Sequence, residues 1–552
     1  MKKVQLKWLL LLLPLGLWGC QDFLEDGTTT EGPITEEQIW ANDNYARGVL
    51  NNAYFSVAEG FNLDGNGAML ASASDEAVNS NPNSSINIFN NNTWSPNRTF
   101  DDVYASMYEG IRKVNSFLAN SATSAIIPQN NRTFQQELDR LNGQAYFLRA
   151  YFYFELLKRY GGVPLVTRVL DRSENLNLPR NTFDEVKKQI LQDCDSAYKM
   201  LPQWTNDWAE GDRGRATGTA ALALKSRLLL YAASPLHNPN NDLTKWQDAA
   251  DAANALIRLN KHSLQTTYTN IFNYGAAQYN SEVIFATQAL NRNDIEINHA
   301  PISYNGALGR TNPTQELVDA FDMANGKPIG EQGSGYNAAN PYANRDPRLA
   351  IVINYNGRTF KGTPVETFVG GKDGLGRNVN ATRTGYYMRK FLSEAAAWNQ
   401  TNNTNARRPW VVIRYAEVLL NYAEALNEAQ GPVTDVYEKL NQVRRRAGAN
   451  MVIAVDPTMT KERMRAIIQK ERQVELCFEG HRFFDVRRWK KGEELFNKPV
   501  HGMRITVNPN GSYTYERFVV ENRVFLPKHY FFPFAQSEIN RTPALAQNPM
   551  WP

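Results

Sequence analysis

The stretch from Arg140 to Thr167, RLNGQAYFLRAYFYFELLKRYGGVPLVT, is apolar on more sides than a surface helix tolerates. At helical spacing Leu141, Ala145, Leu148, Phe152 and Leu156 form one stripe, and Tyr146, Tyr153, Leu157 and Tyr160 form a second. A helix apolar on two sides is normally buried between other helices, so the fold has to surround this one. Gly161 and Gly162 supply the stop, and Pro164 opens an extended exit through Val163–Val166. Physics alone reads the segment as a core helix without chemistry of its own.

The rest of the mature chain offers the neighbours it needs. Helical periodicity covers 36–59, Phe100–Leu118, Thr133–Tyr160, Thr182–Leu201, Thr217–Ala233 and Leu243–Asn260. It resumes at Val411–Ala429, Thr434–Ala447 and Thr460–Phe478, then continues through HRFFDVRRWKKGEEL. Between these two blocks, from about 261 to 407, lie Gly-, Asn- and Pro-rich turns, strand-like pieces such as Glu282–Thr287, and a short helix at Thr314–Phe321. An insertion this long is expected to be functional or to form a subdomain. Residues 60–99 read as loop, and 496–552 as an irregular tail of short strand-like pieces. No clean 34-residue repeat is present. RYAEVLLNYAEALNEA, with Ala416, Leu419, Tyr422, Ala423 and Leu426, comes nearest to one.

The first residues belong to targeting rather than to the fold. MKKVQLKWLLLLLPLGLWGC has a basic start at Lys2, Lys3 and Lys7, then an apolar run too short for the ~20 residues of a spanning helix. Leu17-Trp18-Gly19-Cys20 resembles a bacterial lipobox, with cleavage after 1–19, lipidation of Cys20 and a linker to residue 35. The acidic QDFLED that follows is similar to the surface-export signal of Bacteroidetes lipoproteins. No later stretch is long and apolar enough for a transmembrane helix. With Cys20 set aside, Cys194 and Cys477 sit on helical patterns far apart and read as buried free thiols. The 60 basic residues are scattered among 56 acidic ones, giving a net charge of +4, so no nucleic-acid footprint is evident.

Four segments in order carry a family resemblance. They are LASASDEA with the Asn-rich loop after it and YASMYEGIRKVNSFL, the Arg140–Thr167 helix, RPWVVIRYAEVLLNYAEALNE, and KERQVELCFEGHRFFDVRRW with the tail FFPFAQSEINRTPALAQNP. Together with the lipoprotein start, the set resembles the SusD/RagB family of outer-membrane nutrient-binding lipoproteins. The resemblance implies a mainly α-helical protein of tetratricopeptide-like helix pairs spanning 36–552. Its scaffold would comprise 36–260 and 408–495, with the loop-rich lobe inserted between them. It further implies a glycan or oligosaccharide ligand, a SusC-like TonB-dependent transporter as partner, and a lipid anchor facing the cell exterior.

The charged cluster Glu471, Arg472, Glu475, Glu479, Arg482, Asp485, Arg487 and Arg488 is the best imitation of an active site. Three carboxylates at i, i+4 and i+8 share one helical face, and paired carboxylates can hydrolyse glycosides. Arginines in such a mixture more often make an ion-pair network between packed helices, and no catalytic residue is assigned. The six histidines lack metal-ligand spacing, and Asp64-Gly65-Asn66-Gly67 begins like a calcium loop without its later ligands. No metal or cofactor is therefore expected, a structural calcium at that loop being the one candidate. Sugar binding needs aromatic faces for the ring and amides, carboxylates or arginines for the hydroxyls. Aromatics in polar loops are the candidates: Trp94 with Arg98, Asn92 and Asp75 as polar partners, then Tyr304 and Trp398. The resemblance adds weight to Trp94, because in that family a tryptophan of this loop can contribute to the ligand site. A loop anchor is the plain alternative for Trp94, and anchoring is favoured for Trp204 and Trp208. A peptide ligand on the same fold and a surface glycosidase are the rival functions.

Overall fold

The computed structural model describes residues 34–171, 173–272, 279–304, 306–398 and 403–552; the leader, Cys20 and the linker up to residue 33 lie outside the described residues. Helices α1 (Glu36–Trp40), α2 (Asp43–Tyr54), α3 (Tyr104–Asn120), α4 (Phe134–Tyr160), α5 (Phe183–Met200), α6 (Gly218–Ala233) and α7 (Leu243–Arg258) form the first block. The inserted region holds α8 (Asp294–His299), α9 (Gln315–Ala320) and α10 (Pro347–Val352). The second block comprises α11 (Tyr415–Gln430), α12 (Thr434–Ala447), α13 (Lys461–Glu475) and α14 (His481–Arg488), followed by α15 (Gly492–Leu495) and α16 (Gln536–Arg541).

Helix α4 is the central helix its sequence predicts. Thr133 caps it by accepting from the Gln136 amide, while the Gln136 side chain accepts from the Thr133 amide. Gly161 ends it at φ 71°, a conformation that costs little without a Cβ. Both predicted rows are covered: Leu148, Phe152, Tyr153, Leu157 and Tyr160 all lie in the core, with Tyr146 packed at its edge. The exit segment is pinned by Tyr153, whose hydroxyl accepts from the Val166 amide at 2.6 Å. Arg149 reaches sideways from the same helix. It forks onto Asp193 of α5 at 2.7 and 2.8 Å and donates to Asn115 of α3 at 2.9 Å, tying three helices at a buried point.

Packing runs in chain order: α2 on α3, α3 on α4, α4 on α5, α5 on α6, α6 on α7. It then crosses the insertion, because α7 packs directly on α11, which packs on α12 and α13. The tetratricopeptide-like array is thus continuous although about 150 residues leave it between α7 and α11. In place of a single helix over 36–59 there are two, since Asn42 breaks the run and its side chain caps α2 by accepting from Asn44 and Tyr45.

Two-stranded antiparallel ribbons make up the strand content among the described residues. Within the insertion Leu290–Arg292 pairs with Ala406–Arg408, and Ala397–Trp398 with Asn403–Thr404. Two further strands pair outward, Thr311–Pro313 with Ala77–Asn79 and Val283–Ala286 with Val411–Arg414. The core of the insertion is likewise shared. Leu317, Val352, Tyr386 and Met388 pack in one cluster with Phe61 and Met69 from the early loop, Cys477 and Phe478 after α13, and Met503 of the tail. The tail's strand-like pieces are longer than expected, forming a hairpin of Pro499–Val507 with Tyr513–Asn522. Cys194 and Cys477 are buried free thiols.

Candidate functional site

Two of the predicted binding residues are withdrawn from solvent. Trp94 is 1% exposed and packs edge-on to Phe89 and Phe532 at centroid distances of 4.7 Å, with Trp551 at 5.2 Å. It is a loop anchor, not a stacking platform, because the far end of the chain returns to cover it. Asp75 is buried as well, its two oxygens accepting from Arg482 of α14 at 2.7 and 2.8 Å, and so it has no hydroxyl to hold. Asn92 and Arg98 remain exposed on the intervening loop, which the tail fixes through Val524 N to Asn90 O at 2.8 Å and Gln536 N to Pro96 O at 2.9 Å. With Trp94 and Asp75 occupied, they have neither the aromatic face nor the carboxylate that was to complete a sugar site.

Tyr304 and Trp398 are brought together. Their ring centroids lie 6.3 Å apart at 52°, both rings half-buried and half open. The Ala397–Trp398 strand, with Trp398 opposite Asn403, holds the indole on a ribbon that Asn293 ties down by donating to Ala397 O at 2.9 Å. Tyr304 packs edge-on to Phe360 at 5.2 Å, and its hydroxyl donates to the Phe360 carbonyl. Lys361 stands 5.3 Å from the Trp398 ring and also donates to the Glu394 carbonyl at 3.0 Å. The Tyr304 segment runs on to Arg310, which donates to Asn66 O and Asn380 Oδ1, both at 3.1 Å. The result is an angled pair of aromatic faces, one on a turn and one on a short ribbon, with the Lys361 cation beside the indole and the Asn293 amide on the ribbon backbone. Sequence reasoning found the two rings through their polar surroundings. It missed Phe360, Lys361 and Asn293, which carry no local signal and matter only through long-range pairing.

The charged cluster is structural. Glu475 is buried against Arg348, Arg414 and Arg446; burial alone would raise its pKa, but the three guanidiniums hold it well below the usual carboxylate range. Glu479 answers to Arg414 and Lys390 at 2.7 and 2.6 Å, which outweigh its burial and hold it at about 2. Glu471 pairs with Arg348 and Arg444, Arg472 with Asp485, and Arg488 with Asp485 and Glu424. A glycosidase acid needs a raised pKa and access to substrate, and this cluster offers neither. Asp64 spends one oxygen on the Asn66 and Ala68 amides, both at 3.0 Å, closing its loop on itself. Among the described residues no group of three His, Cys, Asp or Glu is placed to hold a metal. Trp208 is an anchor, donating to Ala216 O at 3.2 Å beneath Arg140.

Comparison with known proteins agrees with this architecture over nearly the whole chain. Residues 259–551 match the model of the SusD family, and residues 34–230 match one described as starch-binding associating with outer membrane. SusD-like protein P2 of Formosa agariphila is 25% identical over 521 residues, covering 90% of this chain and 92% of its own. A SusD-like protein of Bacteroides fragilis superposes with a TM-score of 0.78 at 29% identity, covering 94% of this chain and all of its own. A second protein of that organism, a SusD-like carbohydrate binding protein, gives 0.77 at 27% identity, over 92% of this chain and all of its own. With a family model matching more than half of the sequence, residues 259–551, this chain belongs to the SusD family.

Proposed function

We propose that this protein captures a glycan, or oligosaccharides cut from one, at the cell surface and passes it to a SusC-like TonB-dependent transporter. The observation that carries the reading is the Tyr304–Trp398 pair: two half-buried aromatic faces, Trp398 on a short ribbon and Tyr304 on a turn, with Lys361 beside the indole. A pyranose ring presents an apolar face to such a platform and its hydroxyls to the polar rim. The mechanism is binding and release, with no bond made or broken and no cofactor. Carbohydrate binding by a related protein of Bacteroides fragilis and the starch-binding family description support it. Lipidation of Cys20 would hold the chain on the outer face of the outer membrane.

The test is a binding screen of the chain lacking residues 1–20 against a glycan panel, with peptides alongside. Retention by one polysaccharide class, without new reducing ends, supports capture. Trp398→Ala should then weaken binding about tenfold or more, the scale of losing one aromatic contact, with little change in Tm. Binding to peptides alone would keep the fold and replace the ligand, and new reducing ends would restore the glycosidase.

A further inference from the structure

A second cleft lies where the C-terminal end of α2 meets the loop before α6. It encloses about 270 Å³, just below the ~300 Å³ at which small-molecule sites begin, and so suits a short stretch of a longer ligand. Its rim is Phe55, 76% exposed and the most exposed aromatic side chain among the described residues. At the mouth of the cleft this exposed phenyl face is open to a ligand. Opposite stands Tyr279, which lines the same cleft and lies directly over Gly214. Gly214 has φ +102°, and a Cβ there would sit 2.6 Å from the Tyr279 hydroxyl oxygen, so the glycine is what lets the phenol settle. The wall between is polar and fixed: Arg215 bridges Asp212 at 2.6 Å and Asn51 at 2.9 Å. The side chains of Arg213 and Gln288 line the cleft, and among the described residues neither makes a side-chain hydrogen bond or ion pair, the Arg213 amide alone donating to the Glu210 carbonyl.

Two aromatic surfaces, a carboxylate and amide as acceptors, and unspent guanidinium and amide donors are the complement of a hydroxylated ring. The chain also connects this cleft to the first site. Gln288 leads into the Leu290–Arg292 strand, and Asn293, the next residue after that strand, holds the Trp398 ribbon. We propose that the Phe55–Tyr279 cleft is a second saccharide-binding site, engaged by the same polymer that lies across Tyr304 and Trp398. The proposal rests on the glycan reading above, and its test separates the two.

Hexasaccharides prepared from starch, laminarin, xylan, mannan and pectin are titrated calorimetrically into the chain lacking residues 1–20. The expected result is two molecules of one hexasaccharide bound per protein. Phe55→Ala and Arg213→Ala each weaken one of the two sites about tenfold or more, while Trp398→Ala weakens only the other. Both Phe55 and Arg213 are exposed, so their Tm values should match the parent and exclude misfolding as the cause. A stoichiometry of one, unaffected by Phe55→Ala and Arg213→Ala but abolished by Trp398→Ala, overturns the second site and leaves the first. Binding lost in Phe55→Ala and untouched in Trp398→Ala upholds this cleft and removes the first. No binding by any of the five at millimolar concentration overturns both.

Discussion

Trp94 touches Phe89, Phe532, Trp551 and His529 and keeps 1% of its surface exposed, whereas Trp398 meets Tyr304 and Lys361 and stays half open. Truncating the first removes a fully packed ring. Trp94→Ala should cost about 3–5 kcal/mol in chemical denaturation and leave the glycan affinity of the folded protein unchanged. A variant as stable as the parent would mean the aromatic cluster is not packed as described. Glu76 poses a different residue-scale question. It is buried beside Asp75, its Oε1 has no hydrogen-bond partner among the described residues, and burial with the neighbouring carboxylate pushes its pKa up to about 8. Its folded pKa exceeds the unfolded value of 4.5, so the folded state holds a proton that the unfolded state has released. Stability is therefore lost as pH rises from about 4.5 through 8. Glu76→Gln, which mimics the protonated form, should raise Tm at pH 9 and change it little at pH 4. A Tm gain of equal size at both would show that ionisation of Glu76 is not the cause.

At the scale of elements, the long helices were legible because each one announces itself locally. Helix α4 has Thr133 at its start, Gly161 at its end and two apolar rows between, and the observed bounds match that pattern. The predicted helix over 36–59 failed at Asn42, a residue that interrupts one helix by capping the next. Of the strands, Val283–Ala286 and the tail pieces were legible as such, but the pairing of the ribbons was not: Leu290 pairs with Arg408, more than a hundred residues away, and two-residue strands carry no periodicity. That is also why Tyr304 and Trp398 were found singly while Phe360 and Lys361, which complete their surroundings, were not. Between elements the decisive contacts are polar as well as apolar. Arg149→Ala removes the cation that Asp193 of α5 and Asn115 of α3 both answer to, leaving a buried carboxylate with the Gln189 amide but no counter-charge. The expected cost is about 3–5 kcal/mol. Arg149→Lys should recover only part of it, since an ammonium cannot fork onto both oxygens of Asp193 while also reaching Asn115. Full recovery in thermal unfolding would show that charge alone, without geometry, is what α4 supplies.

For the whole molecule, the sequence separates two helical blocks from an insertion of weak pattern, and it suggests that the insertion stands apart. The structure binds them instead. Arg348 of α10 donates to Glu471 at 2.5 Å and to Glu475 at 2.9 Å on α13, while Lys390 donates to Glu479 at 2.6 Å just beyond it. Arg414, at the start of α11, reaches the same Glu475 and Glu479. Thus one row of carboxylates collects arginines and a lysine from both sides of the boundary, out of water, above a core that both sides also share. A charge buried this deeply cannot be left unpaired cheaply, so insertion and scaffold should unfold together. Glu475→Ala takes one carboxylate at once from Arg348, Arg414 and Arg446, leaving an excess of buried positive charge although Asp346, Glu471, Glu282 and Glu479 remain, and should lower stability by about 3–5 kcal/mol. The measurement that decides the point is native-state hydrogen exchange on the folded variant. If the carboxylate row is the common fastening, amides of α10 in the insertion and of α7 in the scaffold lose protection by the same free energy. Protection lost from α10 alone, with α7 unchanged, would mean that the insertion opens by itself and that the row merely borders it.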